Sequence, residues 1–158
     1  MVGIEFEDIV MSEMEVQNFF LGYLRKQGFI VCTQCDREDI PAYCKICPFN
    51  KEGYRGNRYG VDIIGRKGDR CLIMELKGSK YKNSASYGVD FLTLLGQILL
   101  NMKKIDSEEV TYAIGLPYHR YYRTNLERFA KSKAVEKLGI HLKLIIKKEG
   151  KADVILVE

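Results

Sequence analysis

The sequence has no long hydrophobic run. Of its 158 residues, 46% are apolar and 29% are charged, yet no apolar stretch approaches the roughly 20 residues of a membrane-spanning helix. The first 20 residues contain five acidic and no basic side chains, whereas secretory and mitochondrial signals begin with basic residues. No internal repeat or low-complexity tract is present. We therefore expect a single cytoplasmic domain over residues 1–158, without a membrane partner.

Positive charge is concentrated in the C-terminal third. The formal net charge is only +4, but residues 117–151 contain ten Lys or Arg and three Glu. Arg120 and Arg123 alternate there with tyrosines, a combination that can bind phosphates and stack on bases. The alternative interpretation is a helix with packed tyrosines and solvated arginines.

The hydrophobic periodicity predicts alternating helices and strands. Ser12 and Glu15 form a capping-box pattern before an apolar stripe, which places the first helix. We expect helices at 12–27, 89–103 and 118–138, a hairpin of strands 59–65 and 71–77, and further strands at 29–32, 110–116, 141–147 and 153–157. This order predicts an α/β (α+β) domain with a mixed central β-sheet flanked by helices.

The hairpin contains three charged residues in apolar strands. Asp62 is expected inside the first strand, and Glu75 and Lys77 at the end of the second. Because strand residues alternate between faces, Glu75 and Lys77 share one face and the hairpin can bring Asp62 beside them. The alternative is a cross-strand salt-bridge cluster exposed to solvent. The apolar neighbours favour a function, since charges in buried strands are costly.

Two neighbouring carboxylates repel each other unless a cation lies between them. Mg²⁺ prefers oxygen ligands and commonly takes one or two carboxylates. Such an ion can polarise a phosphodiester and lower the pKa of water. A lysine beside it can orient or deprotonate that water, or stabilise developing negative charge.

Together these residues resemble the core motif of the PD-(D/E)xK nuclease superfamily, which has the restriction-endonuclease-like fold. That motif has an Asp near the end of one strand and (D/E)-x-K in the next. Glu75-Leu76-Lys77 matches ExK, and Val61 stands where the family usually has proline. The resemblance covers most of the chain except the cysteine-containing segment.

The resemblance implies further site residues and an activity. The family's first helix carries a metal-site glutamate, for which Glu13 is preferred over Glu15, and its second helix presents a polar residue, here Gln97. The implied activity is Mg²⁺-dependent hydrolysis of DNA, with Mn²⁺ as a substitute ion, by an endonuclease that leaves a 5′-phosphate. Many such nucleases form homodimers to cut both strands. Expected DNA contacts are Arg55, Arg58, Lys80, Arg120 and Arg123.

Four of the five cysteines lie close together in two CxxC units. Cys32, Cys35, Cys44 and Cys47 have the spacing of a tetrahedral zinc site with two facing knuckles. We expect a structural Zn²⁺ that folds an insertion at 32–58, since this polar segment has no core of its own. An iron–sulfur cluster is the alternative, because some nucleases of the superfamily carry one.

Two other functions remain open from the sequence. One is a catalytically inactive nucleic-acid-binding or interaction module that retains the nuclease fold. The other is a zinc-stabilised protein-interaction domain, whose affinity for DNA would not show the salt dependence of phosphate binding. Sequence specificity and pathway are not encoded in these motifs.

The two CxxC units give a direct prediction. Metal analysis of freshly purified, reduced protein should find about one zinc per chain, because four thiolates complete a structural site. A preparation that contains no zinc, or that contains iron and sulfide instead, would contradict the assignment.

Overall fold

A computed structural model describes residues 6–33, 61–80, 82–102 and 109–157. Its strands are β1 (Ile30–Cys32), β2 (Ile63–Lys67), β3 (Arg70–Leu76), β4 (Glu109–Pro117), β5 (Ile140–Lys148) and β6 (Lys151–Val157). Its α-helices are α1 (Glu13–Lys26), α2 (Ser84–Met102), α3 (Arg123–Ala130) and α4 (Lys133–Leu138), with a 3₁₀ turn at Arg120–Tyr122.

The six strands form one mixed sheet in the order of the chain. β1, β2 and β3 are antiparallel neighbours, β4 and β5 run parallel to β3, and β6 returns antiparallel to β5. The parallel crossover from β3 to β4 contains α2, and the crossover from β4 to β5 contains α3 and α4. The expected mixed sheet flanked by helices is therefore confirmed.

The sheet has a hydrophobic layer on each face. β3 shows the alternation: Cys71 and Ile73 pack with α2, whereas Leu72, Met74 and Leu76 pack with α1. The α2 side also contains residues of α3 and is the larger cluster. Because β3 is buried on both faces, a charged side chain in it needs a partner.

Helix α1 forms where its capping pattern predicts. The Ser12 side chain accepts from the backbone N–H of Glu15, and the Glu15 carboxylate accepts from the N–H of Ser12 at 2.6 Å. Such caps contribute about 1 kcal/mol to helix stability. Val16, Phe20 and Leu24 recur every four residues and form the buried stripe.

Two predicted helices have different limits in the structure. Helix α2 begins at Ser84 and not at residue 89, because Asn83 accepts a hydrogen bond from the backbone N–H of Ser86 at 3.0 Å. The sequence did not indicate this start because the first turn of α2 is polar and lacks the apolar periodicity of a helix. The region 118–138 is divided into a 3₁₀ turn and two short helices, since Ser132 leaves the helical conformation to cap α4.

Asp62 lies just before β2 and not inside the strand that was expected at 59–65. Its carboxylate accepts a hydrogen bond from the backbone N–H of Leu76 at 2.6 Å. At this position the side chain of Asp62, and not its backbone, is bonded to β3. The strand thus begins at Ile63, and residues 59 and 60 lie outside the described part.

In the described ranges, every helix is too short or too polar to cross a bilayer.

Candidate active site

Asp62 and Glu75 meet at one edge of the sheet. Ile63 pairs with Met74 in the β2–β3 hairpin, so the residue before Ile63 lies across from the one after Met74. The two carboxyl groups are close enough for each to shift the pKa of the other. Glu75 also accepts a hydrogen bond from the side-chain amide of Asn101 at 2.9 Å. This edge is where the sequence placed the paired carboxylates.

Burial controls the protonation of this pair. Glu75 is 2% exposed, and its burial, followed by the charge of the neighbouring Asp62 carboxylate, raises its pKa to about 9. Burial also raises the pKa of Asp62, although the hydrogen bond from the Leu76 N–H opposes this change. The pair therefore keeps one proton at neutral pH, as expected for acids that cannot both ionise at short range.

Lys77 follows β3 and forms an ion pair with Glu13 on α1. Its Nζ lies 2.9 Å from a Glu13 carboxylate oxygen. Burial lowers the pKa of Lys77, but the hydrogen bond to Glu13 and the charges of Glu13 and Asp62 outweigh it and leave the pKa raised. Lys77 is therefore a cation at neutral pH.

The structure separates the two glutamates at the start of α1. Glu15 is engaged in the capping box with Ser12, and Glu13 points to Lys77. Of the two alternatives for the helix carboxylate, Glu13 is thus the one beside the other site residues.

A close backbone contact brings α1 to the site. A Cβ atom at Gly78 would lie 2.5 Å from the carbonyl oxygen of Met11 and 2.6 Å from the backbone nitrogen of Glu13. The next residue, Ser79, donates its backbone N–H to Met11 and its hydroxyl to the Ile9 carbonyl, at 2.7 and 2.5 Å. These contacts join the segment before α1 to the loop after β3.

Aromatic side chains anchor the same loop from the other side. The Tyr122 hydroxyl donates to the Gly78 carbonyl at 2.9 Å, and the Tyr87 hydroxyl donates to the Ser79 carbonyl at 2.8 Å. Lys82 donates to the Gly78 carbonyl at 2.7 Å and pairs with Asp90 at 2.6 Å. The loop that carries Lys77 into position therefore has its carbonyl groups satisfied.

Two residues that contact the site were missed from the sequence. Asn101 is fully buried at the end of α2 and donates to Glu75. Gln17, one turn after Glu13 on α1, donates its side-chain amide to the backbone carbonyl of Asp62 at 2.9 Å. A polar residue at the buried spacing of α2, three residues after Ile98, was the available signal for Asn101.

Gln97 was expected to face the site from α2. It lies one turn before Asn101, and its side-chain carbonyl oxygen is buried without a hydrogen-bond partner in the described residues. Such an atom is costly unless a ligand or water satisfies it. The contact with Glu75 is made by Asn101.

The expected DNA contacts have mixed placements. Arg120 forms an ion pair with Asp8, with its Nε 2.5 Å from the carboxylate. Arg123 pairs with Glu127 at 3.2 Å within α3. Lys80 lies in the loop after Lys77, and its backbone N–H donates to Met11 at 3.0 Å. The expected contacts Arg55 and Arg58 lie outside the described residues.

Only one of the four predicted zinc ligands is in the described part of the chain. Cys32 ends β1, half-buried and with a free thiol. Cys35, Cys44 and Cys47 lie outside the described residues, as does most of the predicted insertion 32–58. Because Cys32 pairs across the sheet with Ile64, β1 ends at the sheet edge that contains Asp62.

The carboxylate pair fits a hard divalent cation. Within the described ranges, no three His, Cys, Asp or Glu side chains are arranged to hold a metal ion. Two carboxylates are nevertheless a common protein contribution to Mg²⁺, whose other ligands are then water and substrate oxygens. The oxygen donors of Asp62 and Glu75 suit this ion, because a cation can replace the proton that they share.

The sequence matches no protein-family model and resembles no curated protein significantly. The chemistry of the site must therefore be inferred from its own side chains.

The contact at Gly78 predicts a localised defect. Gly78→Ala should lower the free energy of unfolding by about 1–3 kcal/mol, since the clash is with backbone atoms that cannot rotate away. Gly96→Ala is the matched control, because no atom lies within 4 Å of its Cβ position and alanine favours a helix interior. Urea denaturation of both variants measures the difference. Equal stabilities would contradict the contact.

The shared proton predicts a pH-dependent stability in metal-free buffer. A carboxyl with a raised folded pKa stabilises the fold below its ordinary pKa, and that contribution is lost as pH rises toward about 9. Glu75→Gln should therefore gain thermal stability relative to wild type as pH increases from about 5 to 9. Glu136→Gln, at an exposed position on α4, is the control. Parallel pH profiles for wild type and Glu75→Gln would refute the shared proton.

Proposed function

We propose that the protein is a cytoplasmic, Mg²⁺-dependent deoxyribonuclease that cleaves DNA as an endonuclease. The observation that carries the proposal is the convergence of Asp62, Glu75 and Lys77 at one sheet edge, in the order of the PD-(D/E)xK motif that the sequence resembles. Glu75 is buried and Asp62 half-buried beside a cation, and strongly shifted pKa values in such a cluster are typical of functional sites.

Asp62 and Glu75 are the residues that would hold the catalytic ion. A bound Mg²⁺ would polarise the scissile phosphodiester and lower the pKa of water. Both carboxylates are fixed before any ion binds, Asp62 by the backbone N–H of Leu76 and Glu75 by Asn101. This fixation supports the proposal, because preorganised ligands reduce the reorganisation needed in the transition state.

Lys77 is assigned to electrostatic stabilisation and to orienting the attacking water. Its raised pKa and its ion pair with Glu13 favour a protonated side chain over a general base. As a cation it can donate hydrogen bonds to the phosphate as negative charge develops there. Glu13 is a positioning residue, since it reaches the site through the Lys77 ammonium group.

The reaction is assigned by resemblance to the superfamily. Water attacks phosphorus, the bond from phosphorus to the 3′-oxygen breaks, and the products carry a 5′-phosphate and a 3′-hydroxyl group. The attacking water loses a proton to solvent, and the leaving oxygen gains one. The chain's own part is to hold the carboxylates and the ammonium group around that phosphate.

We propose that DNA contacts the tyrosine-rich segment between β4 and α3. Tyr121 is 51% exposed there, and Arg120 and Arg123 flank it. Each arginine is paired with a carboxylate through its Nε, so binding a phosphate would exchange one charged partner for another. Such contacts predict an affinity that falls with salt. The zinc-binding insertion would add Arg55 and Arg58.

Cleavage assays on plasmid, single-stranded and branched DNA test the activity. Wild type should cleave at least one of them with Mg²⁺ or Mn²⁺, and Lys77→Met should reduce the rate by about 10²–10³, the usual effect of losing one stabilising group. Lys77→Arg should retain part of the activity if the role is electrostatic, because arginine keeps the charge but cannot act as a base.

Lys131→Met, at an exposed position after α3, is the control for the loss of one positive charge. Full loss of activity in Lys77→Arg would reject the electrostatic role and favour a base. Salt-dependent DNA binding without any cleavage would instead favour the inactive nucleic-acid-binding module.

A further inference from the structure

A groove on the α1 face of the sheet lies away from the carboxylate pair. It has a volume of about 480 Å³ and lies beyond the C-terminal end of α1. Residues from the beginning of β3 and β4 and from β5 and β6 line it. The groove therefore lies at the start of β3, whereas Glu75 lies near the other end of that strand. The size is within the range of small-molecule sites, about 300–1,000 Å³.

The groove is lined by basic side chains and by no described acidic side chain. Arg70, His141 and Lys143 lie on its floor, and Lys67 is at its rim. The Lys67 ammonium group donates a hydrogen bond to the Gln27 carbonyl at 2.6 Å. In the ranges that the structure describes, the side chains of Arg70, His141 and Lys143 have no hydrogen-bond or ion-pair partner. Three unpaired donors facing one space form an anion-binding arrangement.

Lys143 is the most informative of the three. It is half-buried in the middle of β5, and burial lowers its pKa. An ammonium group in this position has a cost, since it loses water without gaining a counter-charge. An exposed strand lysine would have no such cost. An anionic ligand bound at this position would offset the desolvation cost of the Lys143 ammonium group.

The walls of the groove are apolar. Leu24 and Phe29 form the side next to α1, and Leu72 and Leu156 lie on the sheet. Leu156 is 43% exposed, so apolar surface is accessible beside the cations. A groove with cations at its floor and an aromatic ring in its wall suits a ligand that has both an anionic and an apolar part.

We propose that this groove binds a small organic phosphate of nucleotide size, with its phosphate on Arg70, His141 and Lys143 and its organic part against Phe29 and Leu156. The Thr111 hydroxyl and the Gln27 side-chain amide also line the groove and can bond the polar groups of such a ligand. The proposal does not depend on nuclease activity, because the groove shares no residue with the carboxylate site.

Calorimetric titration of the full chain with AMP, ADP and inorganic phosphate, in buffer free of Mg²⁺, tests this site. The nucleotides should bind more tightly than phosphate alone, because only they contact the apolar wall. Lys143→Met should weaken nucleotide binding about tenfold or more, the effect of losing one charge-assisted contact. Without ligand, this variant should melt no lower than wild type, since it removes a buried charge that has no partner.

Two variants serve as controls. Lys148→Met changes an exposed lysine of the same strand and should bind nucleotide like wild type. Glu75→Gln should also bind like wild type, which separates this groove from the candidate active site. The proposal is overturned if no nucleotide binds at millimolar concentration, or if Lys143→Met binds as wild type does. It is also overturned if duplex DNA alone binds in a manner sensitive to Lys143.

Discussion

The neighbouring carboxyl groups of Asp62 and Glu75 set the strongest constraint on this fold. Glu75 is buried and Asp62 is half-buried, and two such acids at short range cannot both be ionised without a cation, so the fold must supply a proton, a metal or a counter-charge. The structure supplies hydrogen bonds from the Leu76 N–H and the Asn101 amide. Apolar residues at these two positions would have had no such electrostatic cost. That the site nevertheless contains acids is the strongest reason to assign it a function.

The two hydrophobic layers explain how distant segments reach this pair. Helix α1 packs on one face of the sheet and brings Glu13 to Lys77 and Gln17 to Asp62. Helix α2 packs on the other face and brings Asn101 to Glu75. The backbone contact at Gly78 sets the position of α1 relative to the strand end. The site is therefore rigidly supported from both layers, which favours a preorganised electrostatic role.

Local patterns allowed much of the fold to be predicted from the sequence. Ser12 and Glu15 predicted the start of α1, and alternation predicted the two faces of β3. The start of α2 was missed because its first turn is polar and the signal, Asn83, is a single capping residue. Asp62 was misplaced because its contact with Leu76 is made by a side chain and has no periodicity. Asn101 contacts Glu75 across 26 positions of sequence, which no local pattern reveals.

The groove on the α1 face shows the same limit of sequence reasoning. Arg70, His141 and Lys143 are spread over two strands that are far apart in the chain. Their proximity arises from the sheet order, since β4 separates β3 from β5. The sequence left two interpretations of the basic C-terminal third, a surface that contacts DNA or a helix with solvated basic residues. In the structure, Arg120 and Arg123 are ion-paired near the start of α3, and Lys147 of β5 pairs with Glu7, whereas Lys143 of β5 lines the groove.

The central claim is that Asp62 and Glu75 bind a divalent cation in place of their shared proton. A crystal structure determined with Mn²⁺ at a pH above neutral, using anomalous scattering from manganese, tests it most directly. The account predicts an anomalous peak between the two carboxylates, which would separate from each other to coordinate the ion. Carboxyl groups that stay in place with no peak beside them, or manganese bound only elsewhere, would contradict this assignment.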